Sequence, residues 1–405
     1  MTEAFEIEAA ISDRNWPAAN QLLRNSNSVG SWKYEIFGDA AGLSRDDWNS
    51  NLLQYGLVKR GLAANIKTDG FYAYNKGLGS NAFANFVWGN ARRVNPKLFN
   101  GDKIRLASDL RFDGLGETQI QKTDYKTSLM TDQLALKRVK KGEATFWNGP
   151  TSFIDKDNHI RSLEQCQKLS NQLGSSTIAF SKDGYLLLVY QTHKNNQSQG
   201  LIAPSGSGSC DWEDIELSRR YWRDDKANPS KSEDLLAIAQ FSATRELIEE
   251  CGLEVIHQGV QGDIVINPYA VMTHRILPIG FARAVKRAGK PEFYFVSVLP
   301  FTADRIEAAR ETKTEGLYTA KTERANAPYV DFTASPQEIA QQLRKICKQY
   351  SSVDIARSLI VSNADHQIDG MSYPLLQALA LLDAHLALPQ RAKQLASWIK
   401  ASTQK

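Results

Sequence analysis

Residues 235–253, LLAIAQFSATRELIEECGL, constrain the fold more than any other segment. They read as a helix with one apolar face and one acidic face. Leu236, Ala239, Ala243 and Leu247 recur at three- and four-residue spacing, which seats a helix on a core. Glu246, Glu249 and Glu250 share another side, and Arg245 stands four residues before Glu249. Gly252 follows as a helix stop, a position that often needs left-handed backbone. Three carboxylates this close repel one another unless positive charge sits among them. One arginine offsets part of that repulsion, and a divalent cation offsets more. Oxygen donors of this hardness suit Mg²⁺ or Mn²⁺. The competing reading is a solvated acidic face on which Arg245 pairs with Glu249 for a few tenths of a kcal/mol.

The surroundings of this helix point to an α/β (α+β) fold. KIRLASDLRF, STIAFSKDGYLLLVYQTH and EFYFVSVLPF are rich in β-branched and aromatic residues and read as strands. Lys182-Asp183-Gly184 between two apolar runs signals a hairpin. Residues 1–101 read as a mainly helical accessory region. Ser12 or Asp13 would cap one helix, and Ser44 and Gly61 would bound another that carries the Trp48, Leu52, Tyr55 stripe. No basic recognition face marks that region as a helix-turn-helix. Residues 204–232 are polar with mixed charge and turn residues and read as a loop or insertion. From Ser335 the pattern is helical again: SPQEIAQQLRKICKQY opens with a serine cap and a proline at the first helical position, and YPLLQALALLDAHLAL must bury most of its surface. The organisation expected is therefore 1–101, a central domain at 102–334, and a C-terminal helical region at 335–405.

The string RELIEECGL resembles the second half of the Nudix box, Arg-Glu-apolar-any-Glu-Glu-any-Gly-apolar, at every specified position. At average residue usage such a match arises by chance roughly once in ten thousand chains of this length. The upstream positions where the family has a glycine and a further glutamate are Lys231 and Ala237 here. GLIAPSGSGS resembles the family's strand-end segment, with Gly206 and Gly208 standing for its glycines and 209–232 inserted before the helix. Glu233 is the carboxylate nearest to the missing one, a helical turn too early. A further likeness covers KTDYKTSLMTDQL: some Nudix members with an interrupted box carry a similar segment, and one branch of them splits UDP-sugars. Thr123, Asp124, Tyr125 and Thr127 are then either substrate contacts or a capped turn.

The resemblance implies a Nudix-type α/β/α sandwich with a mixed sheet. It also implies hydrolysis of a nucleoside diphosphate linked to another moiety, a nucleotide sugar among the candidates. In that reading Glu246, Glu249 and Glu250 hold Mg²⁺ (or Mn²⁺), and Arg245 orients a carboxylate as the fourth member of the catalytic set. The base is open among Glu292, Glu311, Glu315 and Glu323, while Lys126, Arg283 and Lys290 are candidates for phosphate contacts. Gly206 and Gly208 are the candidate cofactor-binding positions, as an anion nest or as a flexible turn. The alternative is a catalytically weak or inactive Nudix-fold nucleotide sensor acting through its helical flanks. Relatives commonly form homodimers, so a homodimer is the expected assembly.

Composition bounds the remaining classes. Lys plus Arg is 49 against 45 Asp plus Glu, a net charge of +4, which speaks against a nucleic-acid-coating surface. No apolar run approaches the ~18 residues of a membrane span. The acidic N-terminal stretch lacks the basic and apolar regions of a secretory signal. Cys166, Cys210, Cys251 and Cys347 are scattered without a CxxC pair, which fits structural thiols in a reducing cytoplasm. The histidines show neither HxH nor HExxH spacing, and no Walker loop or GxSxG elbow is present.

Overall fold

A computed structural model describes residues 5–9, 27–29, 32–35, 52–54, 57, 63–71, 81–96, 98–111, 116–155, 160–190, 201–222, 233–253, 275–284, 287–310, 316–319, 329–349 and 370–404. Ser12, Asp13, Ser44, Trp48, Tyr55, Gly61 and Lys231 lie outside these, as do Glu311, Glu315 and Glu323. The described residues form a mixed α/β structure.

Its strands begin with β1 (Phe5–Ala9), β2 (Asn27–Val29), β3 (Trp32–Glu35), β4 (Ala63–Phe71), β5 (Asp102–Leu106) and β6 (Thr118–Asp124). There follow β7 (Lys137–Lys141), β8 (Ala144–Asn148), β9 (Gly174–Phe180), β10 (Leu186–Tyr190), β11 (Leu201–Ala203) and β12 (Gly206–Ser209). The last are β13 (Glu233–Asp234), β14 (Ile276–Ala284), β15 (Lys290–Val298), β16 (Gly316–Thr319) and β17 (Gly370–Met371). The helices are α1 (Asn81–Val94), α2 (Tyr125–Met130), α3 (Pro150–Phe153), α4 (Glu213–Trp222), α5 (Leu235–Glu250), α6 (Ala303–Arg310), α7 (Pro336–Gln349), α8 (Tyr373–Leu386) and α9 (Pro389–Thr403).

The main sheet runs β17-β11-β10-β9-β15-β14-β3-β2, with β12 also on β9 and β16 on β10. Its centre is the parallel pair β9 and β15, in register from Gly174 opposite Glu292 to Phe180 opposite Val298. Every residue of β9, β14 and β15 is buried, as expected of strands covered on both faces. The register assigns the covers. Gly208 pairs with Ser175, which pairs with Phe293, so these three point to one face, and there Gly208 meets Glu246 of α5. Tyr294 and Ser176 point to the other face, where α8 begins at Tyr373. The sheet is thus layered between α5 on one side and the C-terminal helices on the other. The Lys182–Gly184 turn joins β9 to β10 in an antiparallel pair, with Gly184 at φ 91°.

Three sequence expectations need correcting. The region 1–101 is not mainly helical among its described residues: it supplies β1 to β4 alongside α1. Its strands find partners far along the chain, β1 on β7, β3 on β14 and β4 on β6, so the expected break at 101/102 falls inside shared sheets. Local pattern cannot reveal such partners. Residues 209–222 are not loop but the end of β12 and helix α4, with Asp214, Ile215 and Ser218 buried. Finally, the lead-in to the main sheet is divided between two cores: Ile104, Leu106, Ile120 and Leu173 pack in the main cluster. Phe83, Trp147, Phe153 and their neighbours form a second apolar cluster, in which the rings of Phe5, Phe83 and Phe146 lie 5.3–5.5 Å apart. The C-terminal stretch is helical as read. Ser335 and Glu338 close a capping box, and α8 is buried along most of its length.

Asp132 sits beneath this lead-in, 1% exposed, accepting from Asn171 N and Gln172 N at 3.3 Å each and from Thr131 Oγ1 at 3.1 Å. Burial pushes its carboxyl up to about 6 despite those bonds. A carboxyl raised in the folded state binds its proton more tightly there than in the unfolded chain. Its contribution to stability therefore declines as pH rises from about 4 through about 6. Asp109, also buried and pushed up to about 6 by burial, acts in the same direction. The wild-type melting temperature should accordingly fall between pH 5 and pH 7.5 in thermal melts, and Asp132→Asn should flatten that slope. Parallel slopes for the two proteins would show that Asp132 is not buried in this way.

Candidate functional site

Helix α5 is fixed at both ends. The Asp234 side chain caps it by accepting from Leu236 N at 2.9 Å, and Gly252, at φ 65°, releases the chain after it. Leu235, Leu236, Ile238, Ala239, Ala243, Leu247 and Ile248 bury its apolar side. That side lies directly on strand β12. A Cβ on Gly206 would stand 2.7 Å from the Leu247 Cα, and one on Gly208 would collide with the Glu246 carboxylate. These two glycines therefore lie in a strand and not in a turn, and the space before them is filled by α5. Their lack of side chains is what lets Glu246 sit against the sheet.

Arg245 is the hub. Its guanidinium grips Asp214 with two bonds, Nε to Oδ1 at 3.0 Å and Nη2 to Oδ2 at 3.1 Å. Nη2 also meets Asp211 Oδ2 at 3.1 Å and donates to Ser209 O at 3.3 Å. Nη1 meets Glu246 Oε1 at 2.9 Å and Glu249 Oε2 at 3.4 Å. Burial works against the charge on Arg245, but Glu246 and Asp214 outweigh it and hold the group protonated well above its ordinary range. Lys103 of β5 pairs with Asp211 and adds positive charge near Glu246. The backbone of β5 places both: Ile104 N donates to Cys210 O at 3.0 Å and Trp212 N to Asp102 O at 3.1 Å.

The three glutamates of the sequence reading occupy different settings. Glu246 is 13% exposed, and burial pushes its carboxyl up to about 7 against the opposing pull of Arg245. Glu249 is about half exposed. Glu250 accepts from Ser207 N at 2.8 Å, tying the end of α5 to the β12 backbone. The donor chemistry suits a hard dication, and Gly208 leaves the room that the Glu246 carboxylate occupies against β12. In the arrangement described, Arg245 and Ser207 hold these oxygens. Among the described residues no three Asp, Glu, His or Cys side chains converge as metal ligands.

Other candidates lie away from this hub. Glu292, Lys290 and Arg283 are interior rather than surface groups. Ser176 Oγ donates to Glu292, Lys290 stands 3.6 Å from Glu292, and Arg283 donates to Arg161 O at 2.9 Å. None of the three is placed to meet a phosphate from solvent. Burial lowers the Lys290 ammonium from its ordinary range. Asp124 caps α2 by accepting from Thr127 N at 2.7 Å, so the capped-turn reading of Thr123, Asp124, Tyr125 and Thr127 is the one seen. Lys126 donates its backbone N–H to Asn100. Glu233 belongs to β13, opposite Ala64, before α5 begins. A cleft of about 430 Å³ lined by Ile66, Trp212, Ile215 and Arg219 opens on the side of α4 that helical spacing sets away from Asp214, and it includes none of the residues around Arg245.

Sequence reading missed Asp211, Asp214 and Lys103. A signal for α4 was present, since WEDIELSRRYW has acids in its first turn and arginines in its last. The close approach of β12 and α5 leads to an expectation. Gly206→Ala, whose Cβ would meet the Leu247 backbone, should lower stability by about 1–3 kcal/mol, as overpacking does. Gly89→Ala, in the interior of α1 with open space around it, should raise stability by about 0.5–1 kcal/mol. Chemical denaturation of both variants checks the pair, and an unperturbed Gly206→Ala would mean that α5 stands off the strand. No family model matches the chain, and no curated protein matches it.

Proposed function

We propose that the chain is a Nudix-type hydrolase that cleaves the pyrophosphate of a nucleoside diphosphate linked to another moiety, with Mg²⁺ or Mn²⁺ held by Glu246, Glu249 and Glu250. The observation that carries this reading is the ordered RELIEECGL string on a helix whose acidic side meets a glycine strand at Gly208. A bound dication supplies charge neutralisation on the phosphate oxygens and polarises a water. The protein's part is to keep three carboxylates on one rigid helix. Arg245 orients Glu246 and Glu249 from one side, and the Ser207 amide orients Glu250 from the other. Substrate phosphates reach this group from the Glu249 side, which is the solvent-exposed one.

One observation favours a second reading. Arg245 already engages Glu246 and Glu249, an arrangement that serves a nucleotide-sensing protein without turnover as well as it serves an enzyme.

The deciding assay is hydrolysis of UDP-glucose, ADP-ribose, NADH, dinucleoside polyphosphates and nucleoside triphosphates at Mg²⁺ on the order of 5 mM, each with an EDTA control. Release of a nucleoside monophosphate that EDTA abolishes is the expected result. Glu250→Gln should drop turnover to the EDTA level while melting within a few degrees of wild type, because a glutamine oxygen can still accept from Ser207 N. Thermal stabilisation by a nucleotide without turnover would favour the sensor. A Glu250→Gln protein that unfolds would mean that the acidic side of α5 is structural.

A further inference from the structure

Residues 210–222 read in sequence as an insertion, yet they supply two of the four carboxylates on Arg245. Of the four, Asp214 is the most buried, with its side chain 1% exposed, and it alone takes two guanidinium nitrogens. Its geometry is itself fixed, since Oδ2 also accepts from Asp211 N at 2.8 Å, closing the first turn of α4. Glu246 and Glu249 share the remaining nitrogen, Nη1, and Glu249 reaches it at 3.4 Å and is about half exposed. The partners of Arg245 thus fall into a fixed pair on α4 and a looser pair on α5.

A buried guanidinium needs carboxylate charge beside it, and it will keep whichever carboxylates are offered. If Asp211 and Asp214 satisfy it, Glu246 and Glu249 can be given up to another cation without leaving a buried charge uncompensated. If they do not, Arg245 competes with that cation for the same oxygens. We propose that Asp214, backed by Asp211, is a positioning residue that anchors Arg245 to α4 and so frees Glu246 and Glu249 to hold a divalent cation. Helix α4 is then part of the site and does the work of a carboxylate that α5 lacks, there being only Ala237 two turns before Arg245. The inference rests on the metal-holding reading of Glu246 and Glu249.

The test is Mn²⁺ affinity of the full-length protein by electron paramagnetic resonance, run beside the hydrolysis panel and thermal melts. Wild type binds Mn²⁺. Asp214→Asn binds it about 10–100-fold more weakly, the range typical of groups that orient metal ligands, and Asp214→Glu recovers most of the loss. The competition argument adds a signature that a merely structural role would not give. In an Arg245→Gln background, Asp214→Asn should change Mn²⁺ affinity by less than about twofold, since the competitor is gone. Equal Mn²⁺ affinity in wild type and Asp214→Asn overturns the proposal, as does a wild type that binds no Mn²⁺. Should Asp214→Asn fail to fold, Asp211→Asn at the more exposed partner gives a smaller loss in the same direction, and no loss there overturns the proposal. Mn²⁺ binding with the expected ratios but no turnover on the panel would sink the hydrolase reading alone.

Discussion

The parallel pairing of β9 with β15 sets the terms for everything around it. A parallel pair needs cover on both faces, and here α5 supplies one cover and the C-terminal helices the other. A polar group placed on these strands is buried by that arrangement, and a charged one needs a partner inside the protein. Glu292 has Ser176 and Lys290, and the glycine opposite Glu292, Gly174, leaves the room. His385 of α8 reaches across to Ile279 O at 2.6 Å and ties the C-terminal layer to the same sheet. The C-terminal helices are therefore half of the sandwich that the central strands require, and not an appendage to it.

The same constraint explains the position of α5. For a helix to present carboxylates near a sheet and still bury its apolar side, the backbone beneath must come close. Gly206 and Gly208 permit that approach at consecutive same-face positions of β12. Glu246 is consequently held where burial raises its proton affinity while Arg245 lowers it, and the net result is a carboxyl pushed up to about 7. The exposed Glu216 and Glu338 stand in contrast, since hydrogen bonds hold them below the ordinary carboxylate range.

Much of this was legible from residue order. The hairpin at Lys182–Gly184, the limits and buried side of α5, the capping box at Ser335 and the apolar α8 all depend on local pattern, and local pattern is what a sequence displays. Pairing over long separations is not displayed, so β1, β3 and β4 were read as part of a helical region. Charged residues are mostly solvated, which is why Arg283 and Lys290 read as surface candidates although they are interior. The charge of residues 209–222 misled in the same way. Asp214 is buried because Arg245 awaits it, and Arg245 lies on a different helix.

This last point bears on how a carboxylate can reach Arg245. A glutamate at position 237 would sit eight residues before Arg245, about 12 Å along the helix axis. Charge placed there would depend on a long side chain reaching down α5. Asp214 instead approaches from the side with a short, buried carboxylate whose own position is fixed by the first turn of α4. A short acid held by backbone loses less conformational freedom on pairing than a long one reaching over two turns. The arrangement links two helices, α4 and α5, through the guanidinium of Arg245. Lys103 extends the linkage to β5 through Asp211, joining the smaller sheet to the same hub. The Arg245 hub is built from three separate stretches of chain, and the string on α5 is the one of them that residue order makes visible.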